Sequence, residues 1–432
     1  MRVPRNNKAE IRRSRASLPF HYGWLVVVTG MLCIVACLGF GRFALGMLLP
    51  SMASTLGLSY SQIGFISTGN FVGYLAAVLF CGHFAGKIGS RNLIVAALIT
   101  ISASMAFISR ASGFFSVLIL YTITGMGSGA ANVPVMGLIA AWFDRSIRGR
   151  AAGFVVIGSG FAIMISGKLI PVVNVAVGPE GWRTNWLILA GAVAAISGIA
   201  YTLLRNKPED MGLSVVGGSR EKPLFQTDAE RRSIYKNKTL YLLGSIYFLF
   251  GYTYVIYATF IVTALVKERG LSEGIAGNFW AWVGFLSLFS GPVFGTLSDR
   301  LGRKAGLMIV FSFQMLAYLM VASKLPPLFL YLSIGFYGIV AWSIPSIMVA
   351  AVSEYVGVDK ALAAFGFITF IFGIGQISGP AVAGILAEKT GSFSGSFFMA
   401  AVAAGAAILL TAFLRKPAAP AARRFESTDN LR

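Results

Sequence analysis

Apolar residues run along this chain in long stretches, each closed by a short cluster of Gly, Pro or charged residues. A helix crossing a hydrocarbon layer of roughly 30 Å needs about 20 mostly apolar residues, because lipid offers no partners to backbone amides and carbonyls. Six runs meet that length in the first half, at 22–49, 62–84, 91–109, 113–140, 151–175 and 184–204. Six more follow at 239–264, 275–297, 305–323, 328–352, 361–386 and 394–414. The pattern predicts an all-α polytopic membrane protein with twelve transmembrane helices. The first run is too long for a cleavable leader and is followed by eleven others, so it is expected to remain as a helix. Composition agrees: 12% charged residues against 56% hydrophobic ones cannot cover the surface of several water-facing domains.

The longest polar interruption, 205–238, falls between the sixth and seventh runs and divides the chain into two groups of six. The predicted organisation is a tail at 1–21, a six-helix bundle at 22–204, a linker at 205–238, a second bundle at 239–414 and a tail at 415–432. The linker's Pro, Gly and charged residues give no reason to expect a folded catalytic domain. Of the 36 Lys and Arg, Arg42 and Lys168 stand inside apolar runs, and six (Arg110, Arg183, Lys267, Arg269, Lys324 and Lys389) fall on the loops opposite the termini. The other 28 share the side of the termini, which predicts that both tails are cytoplasmic, as in a bacterial inner-membrane protein. The net charge of +20 is thus explained by juxtamembrane bases near anionic lipid, and no nucleic-acid partner is expected.

Chemistry on a substrate is not indicated. Cys33, Cys37 and Cys81 lie in apolar runs and His21 and His83 are the only histidines, so neither a disulfide framework nor a metal site is supported, and no cofactor is implied. Gly-rich stretches such as TGMGSG at 124–129 and VIGSGF at 156–161 lack the strand and turn of a nucleotide fingerprint, and no GxxxxGK[ST] loop is present. They read as close-packing helix surfaces. An enzyme is therefore not expected.

The segments GHFAGKIGSR, from Gly82 to Arg91, and GTLSDRLGRK, from Gly295 to Lys304, close the second and eighth runs. Both have Gly at the first and eighth positions and a base at the sixth and tenth, which marks an internal repeat with parallel halves. Lys87, Arg91, Asp299, Arg300 and Arg303 are the residues expected to bias opening and closing. These segments resemble the signature loop of the major facilitator superfamily, although Gly86 stands where that family's acidic residue is expected. The resemblance covers about residues 20–414 and implies two pseudo-symmetric six-helix bundles in the major facilitator fold. HYGW at 21–24, GWR at 181–183 and RNKPEDMGL at 205–213 are similar to the monocarboxylate and oxalate/formate carrier branch. GFGRFALGMLLPSM at 39–52 and STGNFVGYLAAVL at 67–79 resemble uncharacterised bacterial carriers grouped with sugar or aromatic-acid transporters.

Charge at membrane depth needs a wet cavity, a bundle interior or a counterion. Arg42 lies about 20 residues into the first run and Lys168 about 17 into the fifth, so at about 1.5 Å per residue their depths match. No Asp or Glu is central in any run to neutralise them, which makes an anionic substrate their expected partner. The resembling fold places the first and fifth helices side by side, which implies that both bases reach one cavity. Asn70 and Tyr74 share a face of the second run. Tyr254, Tyr257, Asn278 and Gln376 are the expected substrate contacts from the second half. The predicted function is a secondary active or facilitative carrier of a small organic anion, most simply a carboxylate, working by alternating access, with a proton or counter-anion as candidate coupling partner. The alternatives are an exporter of amphipathic compounds and a non-transporting membrane receptor or scaffold. A monomer suffices for the carrier reading.

Overall fold

The computed structural model describes residues 20–218, 237–323, 325–357 and 360–414. The two expected tails, apart from Phe20 and His21, and the centre of the linker lie outside the described residues. Twelve membrane-length helices are present among those described. The first half holds α1 (Tyr22–Thr55), α2 (Tyr60–Ile88), α3 (Ser90–Ile108), α4 (Phe114–Trp142), α5 (Arg145–Val177) and α6 (Gly181–Leu203). The second holds α7 (Lys238–Glu268), α8 (Glu273–Leu301), α9 (Arg303–Ala322), α10 (Pro327–Val356), α11 (Ala361–Thr390) and α12 (Ser394–Ala412). Several outrun the apolar windows that announce them, because helical hydrogen bonding continues through the interface where polarity returns. Thus α5 begins at Arg145, capped by the Asp144 carboxylate on Ser146 N–H at 3.0 Å, rather than near residue 151. Ser59 and Gln62 form a reciprocal capping box that starts α2.

Tyr22 and Ala412 stand on one face of the bundle, called here the terminal face; the other is the distal face. The two repeated segments turn on this terminal face in the same conformation. Gly89 has φ 83° and ψ 149°, and Gly302 has φ 90° and ψ 152°. Each is the eighth residue of its segment, and a side chain there would be strained. The base at the tenth position does equivalent work in both halves: Arg91 donates to the Tyr201 carbonyl at the end of α6, and Lys304 donates to the Ala412 carbonyl at the end of α12. Each base thereby satisfies free carbonyls at a helix C-terminus.

The first part of the linker folds onto the first half. Pro208–Met211 form one 3-10 turn, Val216 N–H donates to the Trp142 carbonyl at 3.0 Å and Asp144 N–H to the Val216 carbonyl at 2.9 Å. Trp142 Nε1 also donates to the Arg205 carbonyl at 3.0 Å.

The halves meet on the distal side. Thr68 donates to the Ile377 carbonyl at 2.9 Å, Ser61 N–H to Glu388 at 3.2 Å and Asn174 to Glu273 at 2.6 Å. Glycines let the backbones touch: Gly167 of α5 lies on Gly277 of α8, Gly160 on Gly284, and Gly64 of α2 on Gly384 of α11. Nearer the terminal face, Gly153 of α5, Gly291 of α8, Gly82 of α2 and Gly366 of α11 all face open space. The bundle is closed distally and spread at the terminal face.

Candidate functional site

The centre of the interface is built on an irregular turn. Val35–Phe43 of α1 is wound as a π-helix, which changes the pairing of its carbonyls. Neighbouring helices hold three of them. Ser128 of α4 donates to the Cys37 carbonyl at 2.7 Å, Asn70 of α2 to the Gly41 carbonyl at 3.2 Å and Tyr121 of α4 to the Arg42 carbonyl at 2.9 Å. Gly39 is required there, since a Cβ would stand 1.9 Å from that of Ala162 on α5. This cradle aims Arg42 into the interface with 9% of its surface exposed. Its guanidinium carbon lies 4.5 Å from the centre of the Phe71 ring and 4.3 Å from that of Tyr74. The rings supply quadrupole attraction without using hydrogen bonds. Arg42 Nε and Nη2 are buried and have no partner, and no carboxylate pairs with them among the described residues. These two nitrogens form the side edge of the guanidinium fork, the edge that grips a carboxylate with two parallel bonds.

From the second half, the Tyr254 hydroxyl approaches Arg42 and accepts a hydrogen bond from the Gln376 amide. Tyr254 is held in turn by the edge of Trp342, with ring centres 5.8 Å apart, and by a Tyr337 hydroxyl that donates to its carbonyl at 3.1 Å. Near-parallel rings of Tyr247, Phe250 and Phe372 continue the wall. A small cavity of about 10 Å³, room for about one water, is bordered by Arg42, Ser67, Asn70, Tyr121, Tyr254 and Thr259. Ser67 and Thr259 hydrogen-bond across the halves at 3.2 Å and help close it.

Residues 34–412 match the protein family described as uncharacterised MFS-type transporter YbfB. The chain belongs to this family. As a whole this MFS-type chain is similar to the hexuronate transporter of Bacillus subtilis (strain 168), at 24% identity over 87% of this chain and 90% of that protein. It is also similar to the probable sulfoacetate transporter SauU of Cupriavidus necator, at 22% identity over 90% and 93%. Among solved structures, a bacterial homologue of the human lysosomal transporter Spinster, inward-facing and unoccupied, matches with a TM-score of 0.69 at 14% identity, covering 90% of this chain and 95% of that one. The likeness establishes the MFS fold.

Within this MFS-type chain, Arg42, Asn70, Tyr74, Tyr254 and Gln376 are neighbours. Lys168 and Asn278 do not join them. Lys168 Nζ donates to Asn278 Oδ1, and Lys168 belongs to an outward stripe with Phe161, Ile165, Val172 and Val175, the last 84% exposed. Equal depth with Arg42 placed no constraint on direction around the helix, and this stripe faces lipid. Tyr257 is also remote, stacked on Tyr337 at 4.0 Å and hydrogen-bonded to Ser333 inside the second half. The expected gating residues act within one half in this conformation: Arg303 pairs with Asp299 and with Glu354 of α10 at 2.7 Å, while Arg91 joins α3 to α6. Lys87 and Arg300 are exposed on the terminal face. Phe71 and Tyr121 were not foreseen in the site. Phe71 follows Asn70 directly, but no periodicity distinguishes a ring under a guanidinium from one in lipid.

Proposed function

We propose that this chain is an alternating-access carrier for a small organic anion, with a carboxylate seated on Arg42 Nε and Nη2. The observation that carries the reading is the unpaired side edge of a buried guanidinium at the junction of the halves. An uncompensated charge at that depth is unfavourable, and an anion with two oxygens relieves it with charge-assisted bonds. Tyr254 and Gln376 border the same ligand from the second half. The names of the two relatives, a hexuronate and a sulfoacetate transporter, accord with anionic cargo. Both termini are taken as cytoplasmic in a bacterial inner membrane, so the conformation described is inward-facing. The spans carry no central carboxylate to shuttle protons, which favours anion exchange or facilitated flux; a proton would cross on the substrate's own acid group. One chain supplies both half-sites, so a monomer is sufficient.

The test is counterflow in vesicles containing the purified protein, with labelled mono- and dicarboxylates and neutral amphiphiles as controls. Saturable acid exchange lost in Arg42→Gln supports the reading. Flux of neutral amphiphiles without acid exchange moves it to an exporter, for which the ring wall of Tyr247, Phe250 and Phe372 would be the binding surface.

A further inference from the structure

Asn70 is a second buried group at the Arg42 cavity with an unmet hydrogen bond. It is 1% exposed. Both protons of its amide are committed, one to the Gly41 carbonyl and one to the Tyr121 carbonyl, each at 3.2 Å. Because both partners are acceptors, the amide orientation is fixed and Oδ1 is the free end. Asn70 Oδ1 is buried with no donor, and Asn70 borders the same cavity as Arg42. The site therefore presents two unmet donors on one residue and one unmet acceptor on another, tied together because Asn70 grips the residue that precedes Arg42.

We infer that the transported anion carries a hydroxyl close to its carboxylate, with the carboxylate on the Arg42 fork and the hydroxyl donating to Asn70 Oδ1. The inference rests on the anion reading given above and narrows it to hydroxycarboxylates. An ammonium could also donate to Asn70, but it would lie near a guanidinium in a cavity that no protein carboxylate borders, so only the substrate's own carboxylate would offset the repulsion. A hydroxyl meets the acceptor without adding charge. A site built around such a bond discriminates strongly against the analogue that lacks it, because the buried acceptor is then left unpaired.

The experiment is calorimetric binding to the full-length protein in lipid nanodiscs, using matched probes: 2-hydroxybutanoate against butanoate, 2-hydroxy-3-phenylpropanoate against 3-phenylpropanoate, and 2-hydroxybutanamide as a neutral hydroxyl control. The hydroxy acid of each pair is expected to bind about tenfold or more tightly. That preference should shrink toward unity in Asn70→Ser, whereas Arg42→Gln should weaken both members of each pair. The ratio in the native protein needs no variant to fold, so it decides the matter even if Asn70→Ser is unstable. Equal affinity within both pairs would mean that trapped water meets Asn70; this overturns the hydroxyl contact and leaves the anion site standing. Failure of all four acids to bind, whether or not the amide binds, overturns the anion site and this inference with it.

Discussion

Gly167 of α5 and Gly277 of α8 lie backbone on backbone: a Cβ on Gly277 would stand 2.2 Å from the Gly167 carbonyl oxygen. One heptad toward the terminal face, Gly160 meets Gly284, and one heptad further the same register pairs Gly153 with Gly291, where both Cβ positions are open. The α2 and α11 pair repeats the arrangement, with Gly64 against Gly384, Leu75 against Gly373, and then Gly82 and Gly366 apart. Two antiparallel helix pairs thus diverge in register toward one face. Rocking of the halves would bring the open pairs together and part the closed ones.

The first prediction follows from that register. Cysteines at Gly153 and Gly291 should cross-link only when the terminal face closes, since a disulfide needs Cα atoms within about 7 Å. In the absence of substrate the cross-link should form slowly, and substrate that promotes cycling should accelerate it. Gly277→Leu should act in the opposite sense, preventing distal closure and raising distal accessibility to thiol reagents. The native Cys33, Cys37 and Cys81 are buried, so labelling of the introduced cysteines can be followed against a low background. Rapid cross-linking in every condition would refute the proposed register.

At Arg42 charge and shape are separable. Arg42→Lys keeps the charge but loses the planar fork, so acid affinity should fall about tenfold or more, and Arg42→Gln should lower it by about a hundredfold or more. Removing an unpaired buried charge should also help the empty protein: Arg42→Met is expected to melt a few degrees higher without ligand, and to lose the stabilisation by ligand seen in the native chain. Calorimetric binding and thermal melts of the three variants check both statements. A lower melting temperature for Arg42→Met would mean that stacking on Phe71 and Tyr74 outweighs the charge penalty.

What could be read in advance followed local rules. Twelve apolar runs give twelve helices because backbone pairing in lipid leaves little choice, and Gly89 and Gly302 declare their turns because a positive φ strongly favours glycine. Arg42 was visible for the same reason, as a charge with no acid near it in sequence. The π-helical turn that aims it was not, because its carbonyls are held by Asn70, Tyr121 and Ser128 from other helices. Nor was the placing of Lys168: depth can be counted along one helix, but direction depends on which face meets a neighbour.

The cluster Asp299, Arg303 and Glu354 should affect rates rather than affinity. Arg303 holds α8, its own turn and α10 together, but Asp299 and Glu354 are 62% and 42% exposed, so each pair contributes less than about 1 kcal/mol once solvent screening is counted. Asp299→Asn should leave binding of the acid within about twofold of native and change the counterflow rate severalfold. The first half has Gly86 at the equivalent place and lacks such a pair, so Gly86→Asp is expected to alter the same rate. A loss of affinity without a rate change would place Asp299 in binding instead.

Lys168 offers the sharpest contrast with Arg42. Its amine reaches across from α5 to Asn278 of α8, on the lipid-facing side of a seam that exists only while the distal face is closed. Lys168→Met should therefore leave acid affinity unchanged, because the side chain does not border the Arg42 cavity. It should instead favour distal opening, since the closed state loses a charge-assisted bond between the halves, worth about 1.5–3 kcal/mol where it is well shielded and less where water or headgroups reach it. Spin labels on the distal ends of α5 and α8 should report a larger population of separated distances in Lys168→Met than in the native chain, with binding of the acid measured on the same samples. If affinity falls as it does for Arg42→Gln while the distances stay put, Lys168 acts on the substrate after all, and the distally closed conformation described here is not the one in which it does so.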